Sequence, residues 1–386
     1  MRLFSFRDGS QVKLGVLSSA AGLSFFALED VAPWAPSNIP ALLSVPKAME
    51  KISAALATAP ESLKRSCDGL HYAPLIPQPG KLICMGLNYA DHAAEGGHAR
   101  PDFPSFFLRA NSSLLGHGEA LVRPRQSHQL DYEAELAVII GQTVRHLSPD
   151  QALDCIAGYS LFNDGSIRDY QRKTSQWTIG KNFDATGPFG PWLVSADELP
   201  PGAAGLRIQS RLNGQVMQDA NTSDLLFDVR EALVLIAACM TLEPGDVIIT
   251  GTPAGVGYAR KPPVFMKAGD VCEIEVEGIG VLSNPVVDDV KSGQAQAKSG
   301  QAQAKPGQAQ AKPDKKTSLT STGPANAPQK DPKEAALDLE RDAVRASFQS
   351  DPQTVVAVIR AWLHEDAKKV AEPKEDAKPK EGAKPR

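Results

Sequence analysis

Two carboxylates spaced two residues apart stand out in Leu130-Asp131-Tyr132-Glu133-Ala134-Glu135-Leu136. The segment reads as a β-strand, and alternate strand positions share a face, so Glu133 and Glu135 point the same way. The apolar run Ala137-Val138-Ile139-Ile140 carries the strand toward a core, where neighbouring carboxylates repel unless a cation lies between them. A third carboxylate ends the apolar strand Gly158-Tyr159-Ser160-Leu161-Phe162-Asn163-Asp164. Glu133, Glu135 and Asp164 together offer hard oxygen donors and no thiolate or imidazole. That set suits Mg²⁺ or Mn²⁺, with Ca²⁺ as a further option, better than zinc. Alternate glutamates also mark a solvated strand face, and a strand-end aspartate also caps turns, so spacing alone leaves both readings open.

Upstream, Gly86-Leu87-Asn88-Tyr89-Ala90-Asp91-His92-Ala93-Ala94-Glu95-Gly96-Gly97 places His92 and Glu95 three apart, neighbours on a helix face. Such a pair can activate water, and the two glycines would let the short helix move as a lid; an ordinary surface pair has the same spacing. Arg168-Asp169-Tyr170-Gln171 and Gly180-Lys181-Asn182-Phe183-Asp184 add polar groups soon after Asp164. The loop Thr250-Gly251-Thr252-Pro253-Ala254-Gly255-Val256-Gly257 lacks the glycine order of a dinucleotide turn and the Lys-Ser/Thr of a phosphate loop, and Tyr258 to Pro263 cannot open a helix. Its expected role is to set backbone N–H groups and the Thr252 hydroxyl against a substrate carboxylate.

The elements that must position these residues emerge from punctuation. Residues 1–75 read as a small N-terminal domain with strands near Leu14 to Leu17 and Leu23 to Leu28 and a helix from Ala48 to Ala57. The proline-rich joint Pro74 to Gly80 leads into the strand Lys81 to Gly86, and 80–289 alternates short strands with turns. Helical stretches fall at Ser148 to Ile156 and Asp224 to Met240, giving a β-rich α+β pattern. Three near-copies of Lys-(Ser/Pro)-Gly-Gln-Ala-Gln-Ala run from Lys291 to Ala311, so 290–330 reads as a disordered linker. Within the partly helical, charged tail 331–386, Asp351-Pro352 precedes an apolar stripe of Val355, Val356, Ile359, Trp362 and Leu363. That helix is either a dispensable extension or a dock for another protein.

The 386 residues carry a net charge of -4 and 42% hydrophobic residues, enough for a sizeable core and no basic field for nucleic acid. No apolar run reaches membrane-spanning length, no signal-like stretch opens the chain, and the five cysteines show no paired spacing, so a cytoplasmic protein with reduced thiols is expected.

Taken in order, Gly86 to His92, Leu130 to Leu136, Phe162-Asn163-Asp164, Arg168 to Gln171, Gly180 to Phe183 and Gly245 to Pro253 resemble the fumarylacetoacetate hydrolase superfamily over about residues 80 to 287. The resemblance implies a roll of stacked mixed sheets, a homodimer, and Mg²⁺- or Mn²⁺-dependent chemistry on 2-oxo or diketo acids. By motif, Glu133, Glu135 and Asp164 match the metal ligands, and His92 with Glu95 the water-activating pair on a lid. Lys181 matches the lysine that stabilises a developing enolate or oxyanion, while Arg168, Gln171 and Thr252 match positions lining the substrate site. Gly165-Ser166-Ile167 departs from the more usual Val/Met-Ser/Thr-Ala, without removing a ligating group. The His92–Glu95 pair tilts the expectation to C–C bond hydrolysis of an acylpyruvate through a metal-bound enolate, giving pyruvate and a carboxylic acid. The alternative is an isomerase or decarboxylase of dienoate diacids or oxaloacetate in aromatic or sugar-acid catabolism. A scaffold protein on an enzyme-like core is the non-catalytic rival, and occupation of every expected polar position argues against it.

Overall fold

The computed structural model describes residues 1–19, 24–95 and 101–289. The expected linker 290–330, the tail 331–386 and the lid glycines Gly96 and Gly97 lie outside these residues.

An eleven-stranded mixed sheet organises the chain, in the order Lys64–Ser66, Ser24–Ala27, Gln11–Leu17, Arg2–Asp8, Gly187–Ser195, Ile156–Asn163, Ala134–Ile140, Val247–Ile249, Leu82–Gly86, Ser105–Leu108, with Leu114–Leu115 beside Gly187–Ser195. The expected N-terminal module thus shares a sheet with the strands of the larger domain: Arg2 pairs with Val194 and Leu3 with Leu193. It shares a core as well, since Leu3, Leu14 and Val16 pack in one cluster with Leu82, Ala137, Ile139 and Phe162. A second sheet, Gln215–Asn221, Arg207–Leu212, Val271–Val276, Gly280–Asp288 and Leu121–Arg123, supplies Ile208, Ile274 and Leu282 to the cluster on the other face. Mixed sheets with few helices fulfil the expected β-rich α+β roll.

The central strand Ala134–Ile140 is buried along its whole length. Leu136, Val138 and Ile140 face the second sheet, Ala137 and Ile139 face the N-terminal helices, and the period of two thus builds both cores. The expected strand through Glu133 is interrupted. Leu130–Asp131 pairs with Ser166–Ile167 in a separate two-stranded sheet, and the main-sheet strand begins at Ala134. Side chains replace the ladder at the break: Tyr132 N–H donates to Asp131 Oδ1 (2.9 Å), Glu133 N–H to Asn163 Oδ1 (3.0 Å) and Ala134 N–H to Gln218 Oε1 (3.0 Å).

Two helical expectations change in extent. The stretch from Ser148 is a 3₁₀ helix, Pro149–Cys155, whose buried Ala152 and Cys155 keep that helix's three-residue period. The long helix begins at Val229 rather than Asp224, because Asn221 and Asp224 close their own capping box on the 3₁₀ turn Thr222–Asp224 and Asp228 caps the next element through Glu231 N–H. Its buried residues Val229, Ala232, Leu233, Ile236 and Ala237 form one stripe, so burial of that face holds the helix on the sheet.

Candidate active site

Three chain segments converge where Ala134–Ile140, Ile156–Asn163 and Val247–Ile249 reach one end of the main sheet. Glu133 sits in the strand break, Glu135 one residue into the strand, and Asp164 one residue past its neighbour. Their carboxylate oxygens lie within 4.8 Å of one another, and all three residues are buried. Among the described residues this is the one grouping of potential metal ligands.

Burial of three carboxylates demands counter-charge, and most of it comes from three buried cations. Lys181 Nζ donates to Glu133 and to Asp164 Oδ2 (2.5 Å for the second). Arg168 bridges Asp131 Oδ2 (2.8 Å) and Glu133 Oε1 (2.7 Å), and Arg109 pairs with Asp164 Oδ1. Four buried carboxylates, Asp131 included, therefore face three buried cations, and the unmatched one is Glu135. Its partner is a backbone donor, Gly251 N–H, at 2.6 Å. Burial, with Asp164 and Glu133 beside it, pushes Glu135 well above the usual carboxylate range. At Glu133 burial acts the same way, yet the charges of Arg168 and Lys181 outweigh it and hold that carboxyl below its ordinary value. A buried oxygen cradle with one carboxylate in excess is net negative and offers the hard donors that a divalent cation takes.

The cradle opens into a cleft of about 310 Å³ lined by Glu133, Glu135, Asp164, His92, Arg168, Gln171, Arg172, Lys181, Thr252 and Tyr258, with Met85, Phe107 and Trp177 as apolar wall. Eight of the nine residues singled out from sequence line it; the ninth, Glu95, stands behind His92. The short helix Ala90–Glu95 carries both, with His92 Nδ1 3.6 Å from Glu95 Oε2. Both oxygens of Glu95 accept Gly255 N–H at 3.1 Å, which anchors the pair to the Thr250 loop. Asn88 fixes the turn before this helix by donating to Phe227 O (3.0 Å) and Thr250 O (2.7 Å).

The loop itself departs from expectation. Three of its backbone N–H groups, and that of Tyr258 just beyond it, serve the protein's own carboxylates: Gly251 to Glu135, Gly255 to Glu95, and Gly257 and Tyr258 to Asp131. They cannot serve a substrate because the loop packs against the acidic strand break. Its Thr252 hydroxyl lines the cleft while accepting from Gln218 Nε2 (2.8 Å). A single 3₁₀ turn, Gly257–Ala259, follows where no helix was expected, ending before Pro262-Pro263.

Several residues that act here carried no local signal. Arg109 lies 55 positions from Asp164, and Gln218 lies 84 from Ala134. Asp131 was visible in its motif, but its role emerges only from its four partners: Arg168 and the N–H groups of Tyr132, Gly257 and Tyr258.

A buried carboxylate cradle at the end of a mixed β roll, opening on a small cation-lined cleft, has the donor set that a divalent cation takes. The chain belongs to the fumarylacetoacetate hydrolase superfamily: the model of the fumarylacetoacetate (FAA) hydrolase C-terminal family matches residues 81–287. It is 38% identical over 292 residues to the mitochondrial oxaloacetate tautomerase fahd2 of Xenopus laevis, covering 74% of this chain and 90% of that one. A solved 2-hydroxyhepta-2,4-diene-1,7-dioate isomerase of Mycobacterium marinum matches with a TM-score of 0.59 at 31% identity, covering 75% of this chain and all of the other. Maleylpyruvate hydrolase of Sphingobium sp. SYK-6, solved with manganese(II) ion and pyruvate, matches with a TM-score of 0.61 at 29% identity, covering 75% and 99%. The protein is thus an enzyme of this superfamily, with tautomerase, isomerase and hydrolase relatives. No helix among the described residues is long and apolar enough to cross a membrane.

Proposed function

We propose that this enzyme interconverts the keto and enol forms of an oxaloacetate-like 2-oxo acid with Mg²⁺ or Mn²⁺ at Glu133, Glu135 and Asp164. The observation that carries the reading is the single buried carboxylate in excess, Glu135, beside three cations that line the same cleft, Arg168, Arg172 and Lys181. A relative that matches 74% of this chain, by its name an oxaloacetate tautomerase, supports the choice of reaction.

A divalent cation there would polarise the 2-oxo group and lower the cost of negative charge on its oxygen. Lys181, held between Glu133 and Asp164, presents its ammonium where that charge grows, and Arg168 with Gln171 orients the carboxylate end. His92, steadied by Glu95, takes the proton from C3; the C–H electrons become the C2–C3 double bond, the carbonyl pair moves to oxygen, and the proton is returned there. Phe107, Trp177 and Met85 give the cleft an apolar wall. A homodimer is part of the same proposal, and a solution mass of two chains is the result it predicts.

The His92–Glu95 geometry favours a second reading, acylpyruvate hydrolysis. There the imidazole removes a proton from water attacking the distal carbonyl, the C–C bond breaks, and its electrons remain on the pyruvate fragment. Purified protein with Mg²⁺ or Mn²⁺ tests both, by monitoring the ultraviolet band of enol oxaloacetate and by assaying pyruvate from acetylpyruvate. Tautomerisation lowered about 10²- to 10⁴-fold by His92→Ala is the expected result. Pyruvate release from acetylpyruvate without keto–enol interconversion would instead establish the hydrolase, and neither activity would refute both.

A further inference from the structure

Arg172 differs from the other cations of the cleft in having no carboxylate to neutralise it. Lys181 is committed to Glu133 and Asp164, and Arg168 to Asp131 and Glu133. Arg172 lines the same cleft, and among the described residues it makes no ion pair. Its guanidinium is nevertheless held in place. The carbon Cζ lies 4.1 Å from the centre of the Tyr258 ring, on which Arg168 also rests at 4.6 Å. Tyr258 N–H donates to Asp131 Oδ2 (3.0 Å), the same oxygen that accepts from Arg168 Nε (2.8 Å). Arg172 N–H closes on the Arg168 carbonyl at 3.2 Å, at the end of the short helix Arg168–Gln171. One buried aspartate therefore anchors the Tyr258 backbone and the Arg168 side chain, and the exposed Arg172 stacks on the same Tyr258 ring, which limits the freedom its guanidinium loses when it grips an anion.

We propose that Arg172 is a specificity-determining residue that receives the distal carboxylate of a dicarboxylic 2-oxo acid, so that the enzyme selects diacids over 2-oxo monoacids. The proposal rests on the 2-oxo acid reading above and narrows its substrate class. A substrate carboxylate held at the cradle leaves a diacid with a second charge, and Arg172 is the cleft cation still open to it. A charge-assisted contact of this kind corresponds to roughly 10- to 100-fold in affinity.

The test compares wild type, Arg172→Gln and Arg172→Lys in the Mg²⁺-loaded enzyme. KM and kcat are measured for oxaloacetate against acetylpyruvate, and calorimetry gives Kd for malate against lactate, which cannot enolise. In Arg172→Gln the diacid-to-monoacid ratio should collapse by about 10- to 100-fold through KM and Kd rather than kcat, with Arg172→Lys recovering part. Equal loss for diacid and monoacid, or no loss, overturns the proposal. Arg172-dependent malate binding in an enzyme that turns over neither oxo acid supports the diacid site while sinking the proposed reaction. Confirmed turnover with malate bound no tighter than lactate does the reverse.

Discussion

Arg168 concentrates the electrostatics of the site in one side chain: 3% exposed, it is the sole ion-pair bridge between Asp131 and Glu133 among the described residues. Removing one partner of a buried ion pair strands the other charge. Arg168→Met should therefore lower the unfolding free energy by about 3–5 kcal/mol. Arg168→Lys should recover only part, because an ammonium lacks the planar fork that reaches two carboxylates. Denaturant titration of the metal-free variants checks this, and an unchanged midpoint in Arg168→Met would show that the pair is not holding the strand break. At this scale the sequence was readable where chemistry is local. Spacing marked Glu133 and Glu135 as a same-face pair and the strand end marked Asp164, but only the fold brings the three together in a buried cradle. Asp131, Arg109 and Gln218 did not, since each works through a partner 37 to 84 positions away, a separation no local pattern encodes.

Lys181 reaches the carboxylates because two short helices, Arg168–Gln171 and Thr178–Lys181, touch backbone to backbone. Gly180 is the contact: a Cβ there would lie 2.4 Å from both Cα and N of Gln171. Gly180→Ala must separate the helices, costing about 1–3 kcal/mol and withdrawing Lys181 from Glu133 and Asp164. The midpoint of thermal unfolding and kcat should fall together, and a fall in neither would mean the close approach is not required. A second element-level test lies far from the cleft, where His117 Nδ1 accepts Ser283 N–H (3.1 Å) and ties its turn to Gly280–Asp288. Burial lowers its pKa from the ordinary 6.5, so the fold favours neutral imidazole. Its contribution is fully present above 6.5 and is lost as pH falls through the lower folded value. In stability measured against pH, His117→Gln should flatten that acidic decline, and an unaltered slope would discount the histidine. Element existence was legible from periodicity, as for Ala48–Ala57, whereas the interruption at Tyr132–Glu133 was not. Two of the three side chains that replace its ladder bonds, Asn163 and Gln218, come from distant strands.

For the whole molecule, one sheet runs unbroken from the edge at Lys64–Ser66 to the edge at Ser105–Leu108. The proline-rich joint at Pro74 to Gly80 reads as a linker because of its composition, yet Leu75 and Ile76 within it are buried at 0% and 1%. Apolar burial decided against a flexible tether there, and that depends on strands paired elsewhere. A chain of residues 1–289 holds every element described and should keep full metal-dependent turnover. A chain of 76–289 exposes the edge of Gly187–Ser195 and half of a core, and should fail to unfold cooperatively in calorimetry. Equal behaviour of the two would make the N-terminal strands dispensable. Whether the carboxylate in excess serves a divalent cation is decided by exhaustive chelation, then titration with Mn²⁺ or Mg²⁺ while enol oxaloacetate is monitored. Loss of tautomerisation on chelation, recovery on titration, and no recovery in folded Glu135→Gln are the expected results. Full activity in the metal-free wild type would overturn the metal assignment and the mechanism built on it.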